Sequence, residues 1–153
     1  MDIDDGWQNK LSRVARLESS NWPIEQLPGL SQDNKAALLN LGIKTTFHLL
    51  HNGRTAEQRQ AIATRMQLHV QHINKWIVLA NLARVPTVGC QYCGTVLYSG
   101  VASLQQLAQI DVGRLHRQVL KLHVAEFQNK KHCPSVADVN VWINEAKTLT
   151  SAA

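Results

Sequence analysis

No apolar run in this chain approaches the roughly 18 consecutive residues a membrane span requires, so no transmembrane helix is expected. Cysteine is scarce and odd in number, three in 153 residues. That argues against a disulfide framework. The opening residues, MDIDDGWQNK, are acidic and then polar; lacking an apolar core, they do not read as a secretory signal. Basic residues never gather into a block of about five or more. No segment alternates apolar and polar positions between turn signals, so nothing argues for a sheet. Reaction machinery is missing as well. There is no P-loop, no H-E-x-x-H, no Ser-His-Asp constellation and no paired carboxylates in an identifiable cleft. The expectation is a soluble, cytoplasmic, non-catalytic protein that needs no cofactor.

What is present supports a folded chain. Apolar residues make up 44% of it, enough for one good core or two small ones fused side by side. The net charge of +5 permits attraction to nucleic acid or to acidic protein surfaces but decides nothing about fold. The organising feature is a repeat. Residues 24–50 (IEQLPGLSQDNKAALLNLGIKTTFHLL) return in degenerate form at residues 82–108 (LARVPTVGCQYCGTVLYSGVASLQQLA). At one constant offset Leu27 falls on Val85, Pro28 on Pro86, Leu30 on Val88, Leu38 on Val96, Gly42 on Gly100 and Ile43 on Val101. Each copy reads as a tight turn, a helix, a glycine stop and a second helix start.

Along the chain, Trp7, Leu11, Val14 and Leu17 form an amphipathic stripe, predicting a helix over residues 5–19 that ends before Trp22-Pro23. Ser31 is an N-cap for the helix facing inward through Ala37, Leu38 and Leu41, and Gly42 stops it. Thr45 caps a short helix that Asn52-Gly53 ends. Thr55 to Gln58 has capping-box spacing. A longer helix follows, with Val70, Ile73, Ile77 and Ala80 on one stripe beside Trp76. In the second copy Gly100 is the stop and Ser103 the cap. A helix from about Asp111 turns Leu115, Val119 and Leu122 inward and Arg114, Arg117 and Lys121 outward. Ser135 to Asp138 is another capping box, opening a helix whose Trp142, Ile143 and Ala146 echo Trp76, Ile77 and Ala80. An insertion around residues 127–133 absorbs the drift. The fold class is all-α, as two five-helix-like halves in tandem.

The pattern apolar-Pro-Gly-apolar-x, a helix, then Gly-apolar at its end resembles the helix-hairpin-helix motif. The duplicated layout, closed each time by a Trp-bearing helix, is more specifically similar to the DUF4332 family. That likeness covers most of residues 24–149 and implies a tandem helix-hairpin-helix, SAM/HhH-like bundle without an established activity. It further implies a phosphate contact: a Gly-apolar-Gly turn leaves backbone N–H groups at a helix N-terminus, where the dipole favours an anion. Two such turns could grip both strands of a duplex without reading bases. Here the turns are Gly29-Leu30-Ser31, without the second Gly, and Thr87-Val88-Gly89, without the first. A side chain at either place restricts the approach of a phosphate. Where a small Ala is usual in the following helix, this chain has Lys35 and Cys93.

Cys90-x-x-Cys93 has redox or zinc spacing at a helix start, where the dipole lowers a thiol pKa. His132-Cys133 would have to complete a zinc set, an awkward geometry for adjacent ligands. Cys93 also suits a small packing position. The seven histidines, His48/His51 and His69/His72 among them, fit no recognised ligand spacing. Trp76 and Trp142 recur at equivalent places, as core residues do; Trp7 is a candidate partner contact. The domain reading is residues 1–21 as N-terminal helix and linker, 22–81 as the first unit and 82–149 as the second, the two forming one compact domain. The functional expectation is backbone binding to nucleic acid through Gly29, Leu30, Ser31, Lys35, Lys44, Arg84, Val88, Gly89, Arg114, Arg117 and Lys121. The alternative is a protein–protein adaptor docking through Trp7, Leu11 and Val14. A metal or redox site at Cys90, Cys93, His132 and Cys133 is the third and weakest reading.

Overall fold

The computed structural model describes residues 17–127 and 133–151. Among them the fold is all-α. A 3-10 turn at Ile24–Gln26 leads into α1 (Gln32–Asn40), α2 (Thr46–Asn52), α3 (Ala56–Met66) and α4 (Val70–Leu82). The second half continues with α5 (Gly89–Tyr98), α6 (Leu104–Gln109), α7 (Val112–Phe127) and α8 (Val136–Ser151). Each half therefore has four α-helices and not five; the extra element is only the short 3-10 turn, and it occurs in the first half alone. The predicted N-terminal helix with Trp7, Leu11 and Val14 lies outside the described residues, apart from residues 17–19, which have no regular structure. Most of the insertion expected at residues 127–133 also lies outside them.

The repeat in sequence returns as repeated hydrogen bonding. After α1, the N–H of Gly42 donates to Leu39 O (3.0 Å) and that of Ile43 to Leu38 O (2.9 Å). After α5, Gly100 donates to Leu97 O (3.0 Å) and Val101 to Val96 O (3.2 Å). These are Schellman closures, which require a left-handed residue just past the helix. Gly42 has φ +83° and Gly100 φ +103°. In both, the residue after the glycine is buried with the residue it bonds: Ile43 with Leu38, Val101 with Val96. The next helices start alike. Thr45 Oγ accepts the His48 N–H and Ser103 Oγ accepts that of Gln106, so each short helix has one of its orphan donors satisfied at the cap. The capping boxes at Thr55–Gln58 and Ser135–Asp138 also form.

The Trp-bearing helices are the hubs. α4 packs on α2, α3 and α5, and α8 packs on α6 and α7, its contact with α6 being the most extensive between any two described helices. Trp76 and Trp142 are both buried, as their recurrence predicted. Period-four burial explains why: Ile73, Trp76, Leu79 and Ala80 share one side of α4, and Val139, Trp142, Ile143 and Ala146 one side of α8. Removing these surfaces from water is the main stabilising term, at about 25 cal/mol per Å² of apolar area. Tyr92 on α5 meets Trp142 with ring centroids 5.3 Å apart.

A strap of residues 19–24 ties the first half together. Ile24 N–H donates to Lys44 O (2.9 Å) and Thr46 N–H to Trp22 O (2.8 Å), around an isolated bridge between Pro23 and Thr45. Ser20 N–H donates to Arg84 O (2.9 Å), and Asn21 Oδ1 accepts the Phe47 N–H (3.0 Å). Trp22 donates its indole N–H to Ala83 O (2.7 Å), and its ring lies over Gly89, where a Cβ would come within 2.8 Å of Cζ2. The strap thereby brings the start of α2 beside the end of α4.

Two glycine substitutions separate backbone strain from crowding. Gly42→Ala is expected to cost about 1–2 kcal/mol, the left-handed penalty alone, because open space surrounds its missing Cβ. Gly89→Ala adds overpacking against Trp22 and is expected to cost about 2–4 kcal/mol. Urea unfolding of both variants checks the order; equal losses would show that the indole yields without cost.

Candidate nucleic-acid interface

The first turn reaches the surface. Gly29 and Ser31 are exposed and Leu30 is half-buried against the core. Ser31 Oγ accepts the Asn34 N–H (3.1 Å), and Ser31 O accepts that of Lys35 (2.9 Å). The residue that replaces the second glycine thus uses one of the helix's free donors as an internal cap. Asp33 places a carboxylate in the first turn of α1, where the dipole already favours it. Glu25, also exposed, belongs to the 3-10 turn just upstream. Lys35 is half-buried rather than fully solvated.

The second turn is closed. Val88 is 1% exposed and Gly89 is buried beneath the Trp22 ring. The N–H and the hydroxyl of Thr87 both donate to Glu145 Oε1 on α8, at 3.0 and 2.7 Å. The N–H groups of Val88 and Gly89, the residues expected to meet a phosphate, both donate inward to Val85 O at 3.0 and 2.9 Å. Val88 and Gly89, expected at the interface, instead lie inside, because this turn is used to seat α5 against the strap and α8.

The remaining basic residues separate into two places. Arg84 lies in a groove of about 580 Å³ with Phe47, His48, His51, Arg54 and Asn81. Its guanidinium donates to Ser19 Oγ (3.2 Å) and Asn81 Oδ1 (3.4 Å), both neutral partners. Lys44 is exposed, and its N–H donates to Nδ1 of His48 on the groove wall (3.2 Å). Among the described residues no acidic side chain lines this groove. Phe47 (37% exposed) supplies an aromatic edge. Arg114, Arg117 and Lys121 are exposed on α7, as their stripe predicted, and Arg114 borders a different pocket, beside Tyr98. Phe47 and Arg54 were not among the expected contacts. The signal was there: Phe47, His51 and Arg54 stand at i, i+4 and i+7, one line along and just past α2. Arg84 is remote in sequence, and only the strap brings it alongside.

The thiols do not form a reactive pair. Burial pushes Cys90 up to about 11, and burial, with the neighbouring Cys90 adding to it, pushes Cys93 up to about 12. Desolvation of the charged form outweighs the helix dipole expected to lower both. Cys93 is fully buried, and its Sγ contacts Cys90 O at 3.8 Å, which suits the packing role. Cys133 contacts Pro134 O at 3.6 Å; His132 lies outside the described residues. Among the described residues no three His, Cys, Asp or Glu side chains are grouped to hold an ion.

The model of DUF4332, a domain of unknown function, matches residues 28–149. The chain belongs to the DUF4332 family. No curated protein and no solved structure matches it. The DUF4332 match begins at the first turn and ends in α8, so it includes both turns, α2 and the end of α4. The strap through residues 19–24, which supplies one edge of the groove, precedes it. No helix among the described residues is long and apolar enough to cross a membrane.

Glu145→Ala is expected to cost about 0.5–1.5 kcal/mol, because the exposed Thr87 can turn to water once its acceptor is gone; thermal unfolding measures this, and an unchanged midpoint would show the contact to be idle. For the thiols, raised folded-state pKa values mean that the unfolded chain releases protons the folded chain keeps. Stability is therefore expected to fall as pH rises from 9 towards about 11. Below pH 9 a thiol reagent should label Cys90 and Cys93 slowly until urea is added, and immediate labelling of all three cysteines in the folded protein would contradict their burial.

Proposed function

We propose that this DUF4332 protein is a non-catalytic binding module, built from a doubled helix-hairpin-helix unit in one compact domain, that holds nucleic-acid backbone without reading its sequence. The observation that carries this reading is the groove between α2 and the end of α4. Arg54, Arg84 and the neighbouring Lys44 stand on one side of the molecule, with an exposed Phe47 and no lining carboxylate among the described residues. Phosphates suit such a set of cations, since neutralising them releases condensed counterions. A phenyl edge among such cations adds a face for a sugar or base. The first turn contributes Gly29 and Ser31 at the surface, while the second serves the fold. Contact is thus carried by side-chain charge more than by the backbone N–H groups of two hairpins.

The magnitudes are testable. Three phosphate contacts give a slope of log affinity on log salt of about −2.7 for a duplex, which is about a 40-fold loss between about 50 and 200 mM salt. Fluorescence anisotropy with a labelled mixed-sequence oligonucleotide, single-stranded or duplex, measures this. Arg54→Gln should reduce the slope by about one without changing any sequence preference, and Phe47→Ala should weaken binding while leaving the slope intact. Failure to bind either oligonucleotide at the lower salt concentration would discard the proposal.

A further inference from the structure

The second half holds a pocket that the backbone reading does not use. It lies between α5, α6 and α7, measures about 550 Å³, and is lined by Tyr98, Ser99, Gln106, Gln109, Arg114 and Gln118, a size ordinary for a small-ligand site. Its chemistry differs from that of the cationic groove: three amides, a hydroxyl, one guanidinium and a phenol. Gln106 is locked, its Oε1 accepting the Ala102 N–H (2.9 Å) and its Nε2 donating to Gly100 O (2.9 Å). Gln109 and Gln118 are exposed, and among the described residues their amides have no hydrogen-bond partner. Ser99 Oγ, in the same wall, is shielded from solvent and finds no partner among the described residues. A shielded hydroxyl of this kind asks for an explanation.

At the rim Tyr98 is 61% exposed. The Lys75 ammonium sits 4.8 Å from its ring centroid and also bonds its hydroxyl. The cation sits at the hydroxyl end of the ring, and the large exposed surface of the ring stays open to another π-system. Gly100, next along the rim, has open space where a Cβ would stand. Gly100 is inherited from the repeat, but the tyrosine, serine and arginine around it are not. At the offset that pairs the two halves, Tyr98, Ser99 and Arg114 fall on Asn40, Leu41 and Ala56.

We infer that this pocket takes one unstacked nucleobase, stacked on Tyr98 and bonded by the amides of Gln109 and Gln118, with Arg114 and Lys75 on the flanking phosphates, and that the protein therefore prefers single-stranded nucleic acid. This rests on the nucleic-acid reading above. Glutamine amides match the donor and acceptor edges of a base, and stacking tolerates any base. A base inside a duplex offers neither its face nor its pairing edge until it is pulled out of the stack. A single strand meets that requirement at much lower cost.

The test uses the full chain, anisotropy at one salt concentration, and two probes: a labelled oligothymidine strand and a blunt duplex of equal length. The strand is expected to bind about tenfold more tightly, and Tyr98→Ala to remove that advantage while leaving duplex affinity unchanged. Tyr98→Phe keeps the ring and should keep the preference, which separates stacking from any effect of the hydroxyl. Arg114→Gln should lower the single-strand salt slope by about 0.7. Equal affinity for the two probes, or Tyr98→Ala weakening both equally, overturns the inference and leaves the backbone reading standing. Binding of neither probe overturns both.

Discussion

The left-handed glycine that closes α1, and its counterpart that closes α5, set the path of everything after them. Each lets two N–H groups turn back onto the helix just ended, and each delivers a buried aliphatic, Ile43 or Val101, to the core on the next step. The following residues then fall on a threonine or serine cap, so α2 and α6 leave in a defined direction. From there the Trp-bearing helices close the halves, and the α4–α5 contact joins them. A residue with a Cβ at either glycine would strain the joint at which the chain reverses.

The same economy governs the surface. Helix N-termini are ready anion sites, yet this chain fills the ones it was expected to offer. Ser31 caps α1, with Asp33 in its first turn, and Glu145 reaches from α8 to hold Thr87. Donors used for internal cohesion are withdrawn from ligands, because a hydrogen bond to a charged group inside the fold is hard to displace. Among the described residues no carboxylate lines the groove between α2 and α4, and Arg84 donates to the neutral oxygens of Ser19 and Asn81. The proposed division is a stabilised scaffold with side-chain charge on one side and a polar, aromatic-rimmed pocket on the other.

Architecture was highly legible in the residues. Caps at Ser31, Thr45, Thr55, Ser103 and Ser135, stops at Gly42 and Gly100, and the inward Trp76 and Trp142 all depend on chemistry within a few positions or on periodicity. Local rules of that kind hold whatever the rest of the chain does. The site was legible only in fragments. Val88 and Gly89 look like a binding turn by pattern, but Trp22 covers Gly89 and Glu145 holds the neighbouring Thr87, and both lie far away in sequence. The dipole at Cys90 and Cys93 is real, but burial, which no spacing reveals, reverses its effect.

By itself the sequence determined the caps and stops of the helices from α1 onward, the repeat and the all-α class, since each follows from hydrogen bonds and apolar periodicity over a few residues. Tertiary structure alone decided which donors are already taken, which cations stand together and where an aromatic face stays open. Those outcomes depend on contacts between residues tens of positions apart, such as Ser19 with Arg84, Glu145 with Thr87 and Lys75 with Tyr98. Such contacts form only once the core has fixed the helices against one another.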